Sequence, residues 1–365
     1  FDAATYTDAK DYSKFELTFE ARAKVLYGNT PKAVDLIREI LTQSVFEDEK
    51  RLKEILSMTK TRLQDRFLSA GHSAAALRAM SYKSPISKFK DTTNGIEYYQ
   101  NIREMEEHFD EKKEEIISGL KALSELLFRK GNVMISYTAS REGLAVLEEE
   151  IGSLKEALYP ERTPESRCIL HCEKKNEGFK TSSKVQFAAK AGNFIDAGEE
   201  YNGALQILKV IMSYEYLWIN IRVKGGAYGC MSNFNRIGEG YFVSYRDPNL
   251  GRTLEIYDGV PEYLENFTVS ERDMTKYIIG TISNIDQPMT PATKGDRSMN
   301  LYMNHVSAEM IRKEREQILT ANQEDIRALA GVARAVLAND QICVIGNEAK
   351  IEEEKELFMT VENLF

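Results

Sequence analysis

The stretch "RVKGGAYGCMSNFNRIGEGYFVSYRDPN", residues 222–249, decides how the rest of the chain is read. Tyr228, Met231 and Phe234 lie before the "RIGEG" turn, and Tyr241, Val243 and Tyr245 alternate with other residues after it, which is the pattern of a β-hairpin. Upstream, residues 202–220 carry the period of a helix. Helices follow over 250–267, 270–285 and about 306–339, then a strand at "QICVIG" and an acidic helix after Asn347. A strand also reads out of "SKVQFAAKAGNF". Strands mixed with helices, and no strict βαβ alternation, predict an α+β fold with an open, largely antiparallel sheet.

Toward the start, Phe15, Leu17, Phe19, Ala21, Ala23 and Val25 alternate with polar residues and predict a strand with one wet face. A helix follows, with Thr30 as its cap, Pro31 in its first turn and Val34, Ile37, Ile40 and Leu41 as its apolar stripe. Residues 47–80 read as two helices broken near Gly71 and His72, and 95–128 as another long helical pattern. "KGNVMISYTAS" marks a change: a basic link, a strand over 133–138, and a helix capped by Ser140. A domain boundary is therefore expected near Lys130, dividing the chain into 1–130, whose sheet is incomplete, and 131–365.

The chain has 365 residues, 42% hydrophobic and 29% charged, with a formal net charge of -9. This is ordinary globular composition, and the negative charge argues against binding phosphate backbones or anionic membranes. No apolar run approaches the roughly 20 residues that span a bilayer, and the first residues lack the features of an export signal. The chain starts at Phe1, so it is expected to be a piece of something longer. Four cysteines, Cys168, Cys172, Cys230 and Cys343, are too scattered for a disulfide framework and suggest a reducing compartment, cytoplasmic or, in a eukaryote, the mitochondrial matrix. "CILHC" brings two thiols near His171, but no second ligand pair follows at zinc spacing, so a strand with incidental thiols is the expectation.

Chemistry-bearing strings are few. Neither H-x-x-E-H nor H-E-x-x-H occurs; "HFDEK" puts His108 and Glu111 at the right spacing but Lys112 where the second imidazole would stand. There is no G-x-S-x-G and no phosphate-binding G-x-x-x-x-G-K-[ST]. His72 and His305 read as structural residues at helix breaks. "RVKGGAYG" has two readings. Arg222 and Lys224 suit a helix C-terminus, and Gly225 and Gly226 supply the turn that ends it. Alternatively, the Arg222 fork and the Tyr228 hydroxyl are donors that grip a carbonyl and stabilise an oxyanion, with the glycines allowing close backbone approach. Residue chemistry alone leaves both open.

"RVKGGAYG" followed by "YFVSYRDPNLGRTLEIYDGVPEYL" resembles the C-terminal region of the insulinase-like (pitrilysin-like) zinc metallopeptidases, in the presequence-protease branch. "SAGHSAAALRAMSYKSP", "SYTASREGLAVLEEEI" and "EREQILTANQEDIRALA" resemble it too, in the expected order. The resemblance implies four related α+β units in two halves that close around unfolded peptides. Zinc would be held by H-x-x-E-H in an N-terminal half that this sequence does not contain. It implies that residues up to about 130 are the later part of the third unit and 131–365 the fourth. It also implies that Arg222 and Tyr228 reach across the chamber to the substrate, with Gly225 and Gly226 beside them. The expected function is the C-terminal part of a zinc-dependent metalloendopeptidase, inactive alone, with the zinc-bearing half and peptide substrates as partners. A non-catalytic peptidase-like subunit or scaffold is the alternative, because a fold does not dictate an activity; an unrelated α+β binding protein is the third reading.

Overall fold

A computed structural model describes residues 1–161 and 170–365. Strands β1 (Asp2–Thr7) and β2 (Phe15–Glu20) pair antiparallel as a two-stranded sheet. Helices α1 (Thr30–Gln43), α2 (Glu49–Ser81), α3 (Pro85–Asn94), α4 (Ile96–Glu107), α5 (Phe109–Leu127) and α6 (Arg141–Ala157) follow. After 170–176 come β3 (Glu177–Thr181), β4 (Phe187–Asn193), α7 (Ala204–Tyr214), a π-helical turn (Trp218–Val223), β5 (Gly229–Phe234) and β6 (Glu239–Tyr245). Helices α8 (Gly251–Asp258), α9 (Val260–Glu265), α10 (Glu271–Ile285), α11 (Pro291–Met303), α12 (Ala308–Leu319), α13 (Gln323–Ala328) and α14 (Ala330–Ala338) precede β7 (Gln341–Asn347), α15 (Glu348–Glu353) and β8 (Thr360–Asn363).

The larger sheet, six-stranded among the described residues, runs in the order β5-β6-β4-β7-β3-β8. The pairings from β5 to β7 are antiparallel, while β3 lies parallel to both β7 and β8, so the sheet is mixed. The fold is α+β as expected. Both faces are covered. Along β7, Ile342 and Val344 point into one core while Cys343 and Ile345 point into the other; in β4, Ala188 opposes Phe187 and Ala189 in the same way. A strand buried on both sides needs apolar residues at every position, which is why "QICVIG" reads as a continuous run.

One core is built from residues after 187, chiefly α7, α8, α9 and α14. The other is built between the sheet and helices α2 and α4, including Phe67, Ala75, Ala79, Ile96 and Tyr99. The packing therefore crosses position 130: residues from before the boundary expected near Lys130 cover one face of a sheet made wholly of residues after it. Arg78 of α2 fastens this contact. Its Nε and Nη2 donate to Glu177 of β3 at 2.5 and 2.9 Å, and Nη1 donates to Asp91 at 2.6 Å. Tyr82 adds a hydrogen bond to Glu177 at 2.9 Å.

Several local expectations change. Among the described residues no strand forms over 133–138; the segment leads into α6, whose cap is Ser140 as expected. Its apolar side chains, such as Met134 and Ile135, remain exposed. The strand from Phe15 stops at Glu20 instead of continuing to Val25, and β1, too short and irregular to show alternation, pairs with it. The two helices expected over 47–80 are present, meeting end to end within α2 at a kink at Ala70 (φ -134°, ψ 34°), next to the break expected near Gly71 and His72. The helix expected over 202–220 breaks after Tyr214 and resumes as the π-helical turn. Cys168 lies outside the described residues; 170–176 carry no strand, and His171 is exposed.

Candidate functional site

The π-helical turn ends in the stretch that opened the sequence reading. Lys224 N donates to Ile219 O at 2.9 Å, Gly226 N to Arg222 O at 3.0 Å and Ala227 N to Ile221 O at 3.1 Å, so the last carbonyls are satisfied by the turn itself. Gly226 has φ +81°, the left-handed conformation that glycine adopts without strain. Gly225 is not left-handed, but a Cβ there would lie 2.5 Å from Ile221 O. Both glycines are thus required by the chain's own turn. The approach around Gly226 is open, with only Pro248 near a hypothetical Cβ, at 3.6 Å.

The "RDPN" segment braces this turn from the far end of the hairpin. Asn249 Nδ2 donates to Gly225 O at 2.7 Å. Asp247, fully buried, accepts from Asn249 N at 2.9 Å and Thr253 Oγ1 at 2.7 Å; burial raises its pKa, while these hydrogen bonds pull the other way. Tyr228 N donates to Tyr245 O at 3.0 Å, so Tyr228 stands at the start of β5 with a fixed backbone.

Arg222 and Tyr228 are brought together. The Arg222 guanidinium lies 4.3 Å from the Trp218 ring centroid, one helical turn earlier, and 5.4 Å from the Tyr228 ring, and its Nη1 donates to the Tyr228 carbonyl. Stacking between two rings fixes the plane of the fork. No carboxylate pairs with Arg222 among the described residues, and its other donors stay open. Tyr228 is 65% exposed and its hydroxyl has no partner among the described residues. A large phenol held in solvent, beside an uncommitted guanidinium on a braced turn, can present two donor groups to one external oxygen.

Sequence reading missed the supporting residues. Trp218, four positions before Arg222, was available from helical spacing; Asp247 and Asn249 were visible only as a turn signal. His72 of α2 and Tyr245 of β6 come from remote segments. With Trp218, Gly229, Cys230 and Met231 they line a cavity of about 260 Å³ beside the pair. Burial, with Asp247 adding to it, pushes the Cys230 thiol up to about 12, which keeps it protonated and unreactive. Among the described residues no three His, Cys, Asp or Glu side chains are grouped to hold a metal ion, so these residues do not fit a zinc site. No helix among them is long and apolar enough to cross a membrane.

Residues 176–348 match the family described as the PreP C-terminal domain, and residues 1–105 match one described as associated with the C subgroup of M16 peptidases. The chain belongs to the presequence-protease branch of the insulinase-like metallopeptidases. Its C-terminal half is the part represented. Protein HypA of Clostridium perfringens is 38% identical over 364 residues, covering 100% of this chain and 37% of that protein. Presequence protease 1, chloroplastic/mitochondrial, of Arabidopsis thaliana is 30% identical, over 90% of this chain and 31% of the relative. The chain therefore spans about a third of the length of these relatives. Among solved structures, an M16 peptidase inactive domain from Pseudomonas fluorescens aligns with a TM-score of 0.55 at 14% identity, covering 86% of this chain and 74% of that one. Pitrilysin aligns with a TM-score of 0.53 at 11% identity, covering 87% of this chain and 33% of its own. These two likenesses concern the fold alone.

Proposed function

We propose that this chain is the C-terminal part of a longer zinc-dependent endopeptidase of unfolded peptides, and that it closes the reaction chamber and grips substrate through Arg222 and Tyr228. The carrying observation is the pair itself: a stacked guanidinium without a carboxylate and an exposed, unpartnered phenol, at the two ends of one braced turn. In this reading residues 1–130 are the later part of a third peptidase-type unit and 131–365 the fourth. Zinc would be held by an N-terminal half outside this chain, and would supply Lewis-acid polarisation of the scissile carbonyl and activation of water. The enzyme works in the cytoplasm or, in a eukaryote, the mitochondrial matrix.

This chain's own contribution is positioning and charge. Arg222 donates N–H groups and Tyr228 its O–H toward the substrate carbonyl oxygen, and both bonds strengthen as negative charge develops there. Gly225 and Gly226 hold the turn low enough for a peptide backbone to pass. The chain by itself binds no zinc and cleaves nothing.

In the full-length protein, Tyr228→Phe removes one hydroxyl and is expected to lower kcat and kcat/KM together by about a hundredfold, with KM little changed. Unchanged turnover in a folded, zinc-loaded Tyr228→Phe enzyme would return the pair to a structural role and favour a non-catalytic scaffold.

A further inference from the structure

The cavity beside Arg222 and Tyr228 has an unusual wall. Trp218, which stacks on Arg222, and Gly229, which follows Tyr228, both line it, so it opens beside the pair. Met231 and Tyr245 make it largely apolar. Its volume, about 260 Å³, is smaller than the range usual for whole small-molecule ligands and suits one side chain. The polar exception is His72, delivered by α2 from more than a hundred residues away in sequence.

His72 is held in place. Gly71 lets the Phe187 ring occupy the space where a Cβ would be, 2.4 Å from it, and so presses α2 onto the sheet next to the kink at Ala70. The His72 ring meets Tyr245 edge-on at 4.9 Å and lies 6.2 Å from Phe187. Tyr245 is anchored in turn by its hydroxyl, which donates to Ser69 O at 3.2 Å, and its ring touches Tyr228 at 5.8 Å. One His72 nitrogen, Nε2, lies 3.3 Å from Ser73 Oγ. The other, Nδ1, is buried and has no partner among the described residues. Burial lowers the His72 pKa, so the ring is uncharged near neutral pH.

We propose that His72 makes this cavity a specificity subsite for one side chain of the bound peptide, selecting a neutral residue with an apolar stem and a hydrogen-bonding tip. Trp218, Met231 and Tyr245 take the stem, and His72 meets the tip. A glutamine fits either tautomer of the ring, because its amide both donates and accepts. An ammonium would lose its hydration with no carboxylate among the lining residues. Methionine, close to glutamine in shape, fills the space but offers the ring no hydrogen bond.

The subsite rests on the reading of Arg222 and Tyr228 as the substrate grip, and the experiment separates the two. Peptides differing only as Gln or Met, placed in turn at each position flanking the cleaved bond, are compared in the full-length zinc-loaded protein. At one position Gln is expected to be preferred by about fivefold in kcat/KM, the size of one hydrogen bond. His72→Leu abolishes this preference, while His72→Gln, which keeps a hydrogen-bonding tip, retains part of it. Tyr228→Phe slows both peptides alike and leaves their ratio unchanged. A folded His72→Leu protein, checked by its melting temperature, with the same Gln/Met ratio as the parent at every position overturns the subsite and leaves the grip standing. Undiminished turnover in Tyr228→Phe overturns the grip, and the subsite with it.

Discussion

Arg78 and Arg222 occupy two regions that use the same side chain in opposite ways. Arg78 is 4% exposed, and both edges of its fork are bonded to carboxylates, Glu177 on one and Asp91 on the other. Arg222 is half-buried between two rings, bonds a carbonyl of its own turn, and keeps donors open toward solvent. An arginine whose donors are consumed inside the fold is a fastener. One that lies against aromatic rings while its donors stay free can donate to an external oxygen. The contrast teaches that residue type carries less information than the state of its hydrogen bonds.

The largest expected effect tests the fastener. Arg78→Ala leaves two carboxylates buried without a counter-charge and should cost about 3–5 kcal/mol of stability in a urea titration, detaching α2 from β3. A loss under about 1 kcal/mol would break the comparison from that side. Arg222→Lys should do the reverse: little change in the urea midpoint, but a fall in kcat of about a hundredfold in the full-length enzyme, since an ammonium cannot reproduce the stacked fork.

A smaller effect sits on the turn itself. Gly226→Ala places a Cβ in the left-handed region at φ +81° and should cost about 1–2 kcal/mol, read as a lower melting temperature. There is room for the methyl group, so strain and not a clash is the cause.

The smallest effect is pH-dependent. The folded-state pKa of His72 is lowered by burial, so as pH falls the unfolded chain takes up this proton first. His72 therefore subtracts stability as pH drops through the unfolded value of about 6.5 toward its folded value, and nothing above it. His72→Gln should flatten that part of the stability profile measured between pH 5 and 8. An unchanged slope would place the ring in a more solvated setting than the cavity wall.

Much of this was legible in the chain. The hairpin from "RVKGGAYG" to "RDPN" followed from alternation and glycine placement, as did β7 from its continuous apolar run and the cap at Ser140. Local rules sufficed because each is enforced by neighbours within a few residues. The segment at 133–138 had the composition of a strand but pairs with no strand among the described residues, since a strand needs a ladder that sequence cannot supply. The kink at Ala70 was announced by Gly71, yet its purpose was not: only the approach to Phe187 shows why a side chain is excluded there.

By itself the sequence determined the α+β class, the family and the two candidate donors, Arg222 and Tyr228, because patterning and spacing are properties of the chain. The tertiary structure alone decided which arginine is consumed and which is free. It also decided that α2 covers the sheet across position 130, and that His72 stands in the wall of a cavity beside Tyr228. These depend on contacts between segments tens to hundreds of residues apart, whose partners are chosen by burial and hydrogen-bond satisfaction over the whole fold rather than by any local run of residues.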